Sequence, residues 1–264
     1  MHYPVDIVEA LLCFALGAVI GSFLNVVIVR LPEGRSLTYP PSRCPDCQQN
    51  IKFLDNVPIL SFFLLKGRCR ACGSRISFRY PVVEFMTAFL SMALYLRFGL
   101  TPAYGIFLIL CSALFAVFWI DLEHMIIPDA ITINGAVIGV VSAVAGLIPP
   151  MDWKSSLYGV ALGIGVLYIP ALIYQKIRGS EGLGGGDIKL LAMIGAFCGP
   201  EGVLFVIFFS SLAGSVTGLF GMIFRGAAST APIPFGPFLS SSAVFYVFVG
   251  RNIVNYFYAM ANYL

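Results

Sequence analysis

The sequence predicts an all-α polytopic membrane protein with about eight transmembrane helices and a cytoplasmic zinc-binding loop between the first two. Apolar residues make up 59% of the 264 residues and charged residues only 11%, and the mean hydropathy is +0.90. These values are typical of membrane proteins and exclude an ordinary soluble domain. The chain also contains eight separate apolar runs, and a polar stretch with four cysteines divides the first two.

The first apolar run, residues 7–29, is about 35 Å long as a helix, which is enough to cross a hydrocarbon core of about 30 Å. The residues around its start include Asp6 and Glu9 and no basic residue, so we expect a retained span and not a cleaved signal peptide. The other runs are residues 82–98, 103–120, 131–148, 157–174, 188–198, 203–224 and 238–250.

Two of these runs are irregular. The sixth stops at Gly199-Pro200 after about eleven residues, so it is expected to be short, tilted or re-entrant. Arg251 interrupts the eighth. Whether these two runs cross fully is left open by the sequence.

The distribution of basic residues predicts the orientation. Nine of the 16 Lys and Arg residues lie in the loop 30–80, which the positive-inside rule places in the cytoplasm. Alternation of the spans then places the N-terminus outside and the loops 121–130, 175–189 and 225–237 in the cytoplasm. Arg97 and Lys154 mark the opposite face.

The loop 30–80 contains a short repeat, in which Cys44-x-x-Cys47 and Cys69-x-x-Cys72 are each followed by an isoleucine four residues later. Four thiolates in two such pairs predict a closed tetrahedral Zn²⁺ site. Its expected role is structural, because the loop is too small to build its own core. A redox dithiol is the less favoured alternative, since the pairs lack a strand-helix context.

Two acidic residues predict a catalytic site. Asp121 ends the third apolar run, and Asp187 follows three glycines at the start of the sixth. The alternation of spans places both at the same membrane boundary, where an ionisable group indicates function. Two carboxylates in one dry site share a proton, so one serves as acid and the other as base, a pair that can hydrolyse a peptide bond.

Structural alternatives exist for these acids. Asp187 could cap the helix that follows it, whereas Asp121 fits a capping role less well because an acid at a helix C-terminus opposes the dipole. Asp129, which follows Pro128, is expected to cap the fourth helix. In the first run, the Gly17-x-x-x-Gly21 spacing indicates helix packing. Asn25 needs a polar partner. Arg30 and Glu84 could either pair at the cytoplasmic boundary or support the site.

In their order and spacing, these motifs closely resemble those of the bacterial type IV prepilin peptidases, which are bifunctional leader peptidases and N-methyltransferases. The similarity extends over nearly the whole chain, and it comprises residues 21–32, the two C-x-x-C pairs, and residues 55–58, 79–84, 121–129, 184–189 and 234–237.

The resemblance implies a membrane aspartic protease of the G-x-G-D type. Asp121 and Asp187 are then the catalytic pair, and Gly184 and Gly186 are the glycines of the motif. Further residues with an implied role in substrate binding or in shaping the site are Gly184, Gly186, Lys189, Asp129, Pro234 and Gly236.

The resemblance also implies the substrates and the location. The basic leader of a type IV prepilin or a type II secretion pseudopilin is cut on the cytoplasmic side of the bacterial inner membrane, and the new N-terminus is methylated from S-adenosylmethionine. The expected partners are these proteins and lipid, without nucleic acid. The sequence contains no glycine-rich nucleotide fold, so it assigns no S-adenosylmethionine contacts.

The expected organisation has three parts. Residues 1–29 form the first span, residues 30–80 the zinc loop associated with methyl transfer, and residues 81–264 the membrane peptidase domain. Two other functions remain as alternatives: a proton-coupled transporter, because acids within spans also mark ion routes, and a non-catalytic scaffold of a secretion assembly. The sequence does not indicate the oligomeric state.

Overall fold

The computed structural model describes residues 6–149, 151–179, 184–225, 233–250, 252–254, 256 and 260. In this part of the chain the regular structure is helical, and the extended pairings are two isolated bridges, Arg43 with Asn50 and Arg68 with Arg75. The all-α prediction is therefore confirmed. The chain forms two compact units, Met1–Tyr104 and Gly105–Leu264, which are described separately.

The first unit consists of two long helices and the four-cysteine loop. Its elements are α1 (Ile7–Arg30), a 3-10 turn (Phe53–Asn56), α2 (Leu60–Leu64) and α3 (Arg79–Phe98). Helix α1 begins after Asp6, whose carboxylate accepts a hydrogen bond of 2.8 Å from the N–H of Val8. This N-cap satisfies one of the backbone donors that a helix start leaves free.

Glycines bring α1 and α3 into backbone contact. A Cβ at Gly17 would lie 2.6 Å from the Cβ of Ser91, and a Cβ at Gly21 would lie 2.7 Å from the Cα of Glu84. Neither position has room for a side chain, so the predicted packing role of these glycines is confirmed. The Ser91 hydroxyl adds a hydrogen bond of 2.7 Å to the carbonyl of Cys13.

In the described residues of the second unit, five helices form a bundle. They are α4 (Pro102–His124), which belongs to this unit from Gly105 onward, α5 (Asp129–Val144), α6 (Trp153–Arg178), α7 (Gly185–Arg225) and α8 (Gly236–Phe245), and a π-helical turn (Tyr246–Gly250) continues α8.

The first half of α7 is the core of this unit. Its side chains, such as Leu190, Ile194 and Phe197, are almost completely buried. Glycines of the neighbouring helices let it approach closely: a Cβ at Gly139 of α5 would lie 2.8 Å from the Cβ of Ala196, and a Cβ at Gly163 of α6 would lie 2.6 Å from the carbonyl of Leu191.

The break predicted at Gly199-Pro200 occurs inside α7. Gly199 has φ 69° and ψ −176°, which is not helical, and the helix resumes at Pro200. Proline is tolerated there because the first turn of a helix does not use its N–H. Residues 185–198 alone span about 21 Å, less than the hydrocarbon core of about 30 Å.

Seven of the eight predicted apolar runs are helical where the structure describes them, and the sixth and seventh run together as α7. The fourth run, residues 131–148, is helical only as far as Val144. Among the described residues, five helices are long and apolar enough to cross a membrane, whereas Asp129–Val144 and Gly236–Gly250 are shorter; the long ones are Ile7–Arg30, Arg79–Phe98, Pro102–His124, Trp153–Arg178 and Gly185–Ile223. The chain is thus a multi-pass membrane protein. Arg251 lies outside the described residues.

Candidate active site

The two predicted catalytic acids lie together in the second unit. Asp121 is in the last turn of α4 and only 5% exposed, and Asp187 is half-buried in the first turn of α7. The carboxylates are near enough to interact electrostatically. Asp187 lies inside the first turn of α7 and not before it, so it does not occupy the N-cap position of this helix.

The start of α8 holds the carboxylate of Asp121. The backbone N–H of Gly236 donates a hydrogen bond of 2.9 Å to its Oδ2. A helix N-terminus carries partial positive charge and free N–H groups, so it stabilises a negatively charged partner. A Cβ at Gly236 would lie 2.7 Å from the same oxygen, and only glycine therefore lets the two approach.

The turn between α4 and α5 completes the site. Met125 adopts φ 54°, and its N–H donates to the carbonyl of Asp121 at 2.9 Å, which ends α4 and reverses the chain. Ile127 then contacts both site glycines. A Cβ at Gly186 would lie 2.9 Å from the Cβ of Ile127, and a Cβ at Gly236 would lie 3.2 Å from its Cδ1.

The glycines before Asp187 differ in their surroundings. Gly186 has no room for a side chain because of Ile127, whereas a Cβ at Gly185 would meet no atom of the described residues within 4 Å. A Cβ at Gly184 would lie 3.4 Å from the Oδ2 of Asp187, an ordinary contact. Packing alone therefore requires a glycine only at Gly186, and the exposed Gly184 borders the carboxylate of Asp187.

Asp129 and Lys189 form an ion pair next to the acids. The Lys189 Nζ lies 2.7 Å from both carboxylate oxygens of Asp129, and the two side chains are 44% and 56% exposed. The predicted capping role of Asp129 is wrong. Pro128 occupies the cap position without a side-chain hydrogen bond, and Asp129 is the first residue of α5. The pair joins the starts of α5 and α7.

Pro234 lies just before α8, beside an open cavity of about 380 Å³. Its neighbours Ile233 and Phe235 line this cavity together with small residues of α7; the lining residues are Ser211, Gly214, Ser215, Ile233, Phe235 and Phe238. The segment that brings Gly236 to Asp121 therefore also forms one wall of a cavity.

The four loop cysteines converge in the first unit. Their Sγ atoms all lie within 4.8 Å of one another, and those of Cys44 and Cys72 are 3.8 Å apart. A tetrahedral zinc ion with Zn–S bonds of about 2.3 Å places its sulfurs about 3.8 Å apart. The donor set and its spacing thus fit the predicted structural zinc ion.

The two cysteine pairs have the same backbone geometry. The N–H of Gln48 donates to the carbonyl of Cys44 at 3.0 Å, and the N–H of Gly73 donates to that of Cys69 at 2.9 Å. Gln48 and Gly73 both have positive φ, at 59° and 74°. The repeat in the sequence therefore corresponds to two equivalent turns that present their thiols to one point.

The thiols of the loop differ in acidity. The backbone N–H of Cys47 and the hydroxyl of Ser74 lower the pKa of the Cys44 thiol to about 6, which favours the thiolate that a metal requires. Desolvation and the neighbouring thiols raise the pKa of the Cys47 thiol to about 11. Asp55 accepts three hydrogen bonds of 2.7–3.0 Å from Arg70, and these bonds hold the pKa of its carboxyl below the usual value. This pair ties the 3-10 turn to the second cysteine turn.

A second polar cluster in the first unit lies between α1 and α3. The predicted pair of Arg30 and Glu84 is absent: Arg30 donates to the carbonyl of Ser36 at 3.1 Å, and Glu84, 9% exposed, accepts a hydrogen bond of 2.7 Å from the N–H of Ile59. Asn25 finds a polar partner, since its amide donates to the carbonyl of Tyr80 at 3.1 Å.

Ile59 is strained. It has φ 65° and ψ −54°, and the N–H of Leu60 donates to the carbonyl of Pro58 at 2.6 Å. This is a γ-turn with positive φ, a rare conformation. A β-branched residue held in it costs on the order of 1–3 kcal/mol.

Sequence reasoning did not single out Ile127 or Ile59. An isoleucine beside a proline carries no chemical signal, and the role of each depends on a contact with a residue distant in the sequence. The resemblance included Ile127 only as part of the stretch 121–129.

Two family models match successive parts of the chain. The family model of the bacterial peptidase A24 N-terminal domain matches residues 15–98, and that of the type IV leader peptidase family matches residues 108–219. No solved structure matches the chain significantly.

Relatives named prepilin leader peptidase/N-methyltransferase match over most of the chain. The protein of Xanthomonas campestris is 35% identical over 264 residues, 91% of each chain. That of Pseudomonas aeruginosa is 34% identical over 271 residues, 94% of this chain and 93% of the relative. That of Aeromonas salmonicida is 35% identical over 274 residues, 93% and 92% of the two chains. With both domain models matched and relatives aligned over nine-tenths of their length, the chain belongs to the type IV leader peptidase family.

Proposed function

We propose that this protein removes the basic leader peptide of type IV prepilins or type II secretion pseudopilins and then methylates the new N-terminal residue. The observation that carries the proposal is the meeting of Asp121 and Asp187, from helices α4 and α7, at the start of α8. The relatives are named for the same two activities.

The dyad hydrolyses the peptide bond by general acid and base catalysis. Asp121, hydrogen-bonded by the N–H of Gly236, is the carboxylate that takes a proton from the attacking water. Asp187 holds the shared proton and gives it to the scissile amide as the bond breaks. Gly184, exposed beside Asp187, leaves space for the substrate backbone to approach.

Cleavage takes place at the cytoplasmic boundary of the bacterial inner membrane. Nine basic residues of the loop 30–80 support a cytoplasmic loop and an external N-terminus. The apolar helix of the substrate stays in the bilayer, and its basic leader remains in the cytosol. Pro234 and the rest of the segment before α8 shape the wall that faces the scissile bond, and the Asp129–Lys189 pair fixes the helix starts around it.

Methyl transfer belongs to the first unit, with residues 30–80 as its loop and residues 81–264 as the peptidase part. The four cysteines would hold a structural Zn²⁺, which organises the loop and offers no open position for a substrate. S-adenosylmethionine supplies an electrophilic methyl group when bound. The described residues do not identify a set of contacts for its adenosine.

The proposal is tested by cleavage of purified prepilin in detergent. We expect Asp121→Asn and Asp187→Asn each to abolish cleavage, because amides are nearly isosteric and cannot transfer the proton. The matched control is Asp152→Asn. Asp152 caps α6 by accepting from the N–H of Ser155 at 2.9 Å, and asparagine caps equally well.

Cleavage at the normal rate by both dyad variants would refute the aspartic mechanism. Flux of protons in vesicles without any cleavage by the wild type would indicate a transporter. Normal pilus assembly in cells that carry Asp187→Asn would indicate a scaffold.

A further inference from the structure

A buried carboxylate in the first unit has no part in the peptidase chemistry. Glu84 is 9% exposed, and within the described part of the chain its hydrogen-bond donors are the N–H of Ile59 and the neighbouring Ser22. Neither donor is a cation. A buried carboxylate without a cationic partner is unfavourable, so Glu84 favours either the uptake of a proton or a cation that arrives from outside.

The side-chain oxygen of Asn25 is a second unused acceptor in the same place. Asn25 is 2% exposed. Its amide group donates to the carbonyl of Tyr80, whereas its Oδ1 is buried without a hydrogen bond to any residue that the structure describes. Buried polar atoms are nearly always paired, and an orphan therefore needs an explanation.

The two acceptors lie in one seam, one helical turn apart. Gly21 of α1 packs against the backbone of Glu84, and Asn25 follows Gly21 by four residues. On α3, Tyr80 precedes Glu84 by four residues and receives the amide of Asn25. The seam is at the end of α1 and α3 that adjoins the four-cysteine loop.

We propose that Glu84 and Asn25 bind the free α-amino group of the cleaved substrate and that Glu84 accepts its proton before methyl transfer. A primary ammonium offers three N–H donors and one positive charge, which match a carboxylate and an unpaired amide oxygen. The inference rests on the proposed methyltransferase function and places the methyl acceptor in this unit.

The N–H of Ile59, in the strained turn, occupies the carboxylate of Glu84 until the amino group of the substrate arrives. Its N–H takes the position on Glu84 that a substrate N–H would take, and its backbone has a φ of 65° that isoleucine disfavours. When the ammonium replaces this N–H, the turn is free to relax. The strain in this turn therefore lowers the free energy needed to break the hydrogen bond between Ile59 and Glu84.

The chemistry balances with S-adenosylmethionine as the methyl donor. The ammonium gives one proton to the carboxylate of Glu84 and becomes a neutral amine. Its lone pair forms the N–C bond to the methyl carbon while the C–S bond breaks, and that electron pair goes to sulfur. The products are an N-methylammonium and a neutral thioether.

The test compares Glu84→Gln with the control Glu9→Gln in the full-length protein. Glutamine retains an oxygen for the N–H of Ile59 but removes the charge. Glu9 lies on α1, at the opposite end from Asn25, and accepts a hydrogen bond from the hydroxyl of Tyr95 at 2.6 Å. The control thus removes a hydrogen-bonded carboxylate from the same unit outside the proposed site.

Three measurements are made on each protein. Binding of a peptide with the mature pilin N-terminus is compared with its N-acetylated form, without S-adenosylmethionine. Methylation is measured on the same pre-cut peptide, so that it does not depend on the aspartate dyad. Cleavage is measured on full-length prepilin.

We expect the wild type and Glu9→Gln to bind the free amine at least about tenfold more tightly than the acetylated peptide, because acetylation removes the charge and two donors. Glu84→Gln should lose this preference, and its methylation rate should fall at least about 100-fold, the scale of a lost acid–base group. Its cleavage should stay within about threefold of the wild type.

Equal binding of both peptides by the wild type overturns the proposal, whether or not the variant folds. Methylation by Glu84→Gln within threefold of the wild type also overturns it. Failure of the peptidase proposal would appear separately, as undiminished prepilin cleavage by the dyad variants.

Discussion

Replacement of Gly236 by alanine tests how the dyad is held. The added Cβ would lie 2.7 Å from the Oδ2 of Asp121 and 3.1 Å from its Cγ, so one of the two must move. Asp121 is 5% exposed and cannot swing into solvent. Either its carboxylate turns away from the N–H of Gly236, or the start of α8 shifts. Both movements break the 2.9 Å hydrogen bond.

The expected loss follows from that bond. A hydrogen bond to a charged group contributes about 1.5–3 kcal/mol, and 1.36 kcal/mol corresponds to a factor of ten in rate. A displacement of about 1 Å at a reacting group costs a similar factor of about 100. We therefore expect kcat/KM for prepilin cleavage to fall about 100-fold in Gly236→Ala.

The assay is cleavage of purified prepilin, with Gly185→Ala as the control. A Cβ at Gly185 meets no described atom within 4 Å, so this change next to Gly186 should leave the rate within about threefold. Methylation of a pre-cut peptide reports whether the protein remains folded. Cleavage by Gly236→Ala at the rate of the control would refute the assignment of the N–H of Gly236 as the group that holds Asp121.

Three further predictions concern packing and the metal loop. Gly186→Ala should lower cleavage about tenfold, because its Cβ would lie 2.9 Å from that of Ile127 and overpacking costs about 1–3 kcal/mol; an unchanged rate would contradict the contact. Cys44→Ser should abolish zinc retention measured by metal analysis, since the site needs four thiolates, and loss of methylation with retained cleavage would show that the loop acts separately. Asp55→Asn should speed zinc transfer to a chelator at pH 7 by removing the pair with Arg70. In metal-free protein, the difference in hydrogen exchange between wild type and Asp55→Asn should be present above about pH 4 and vanish at lower pH. The pKa of Asp55 is lowered in the folded state, so its stabilisation is lost as the carboxyl becomes protonated; a difference between the two proteins that does not shrink as the pH falls would contradict this.

The acids and the cysteines could be found from the sequence because their signals are local. Asp121 ends the third apolar run and Asp187 precedes the sixth, and counting the runs is enough to predict that both lie on one side of the membrane. The four cysteines carry their own spacing. The structure brings each set together, although the catalytic and metal-binding roles remain predictions.

The partners of these residues could not be found in the same way. The bond between Gly236 and Asp121 joins positions 115 residues apart, and no local pattern distinguishes one glycine before a proline from another. The expected pair of Arg30 and Glu84 failed for a related reason. We expected opposite charges at the same boundary to pair. Instead, Arg30 donates to the nearby carbonyl of Ser36, and Glu84 accepts from the N–H of Ile59.

The position of the acids depends on how helices pack inside a bilayer. Lipid is as apolar as the helix surfaces, so helices associate through close backbone packing at small residues and not through exclusion of water. Glycines of α5 and α6 enclose the first half of α7, and Gly186 lets its first turn reach Ile127. The starts of α7 and α8 therefore meet the end of α4. Two helix N-termini then direct partial positive charge toward two carboxylates, which offsets part of the repulsion between acids that must share one proton.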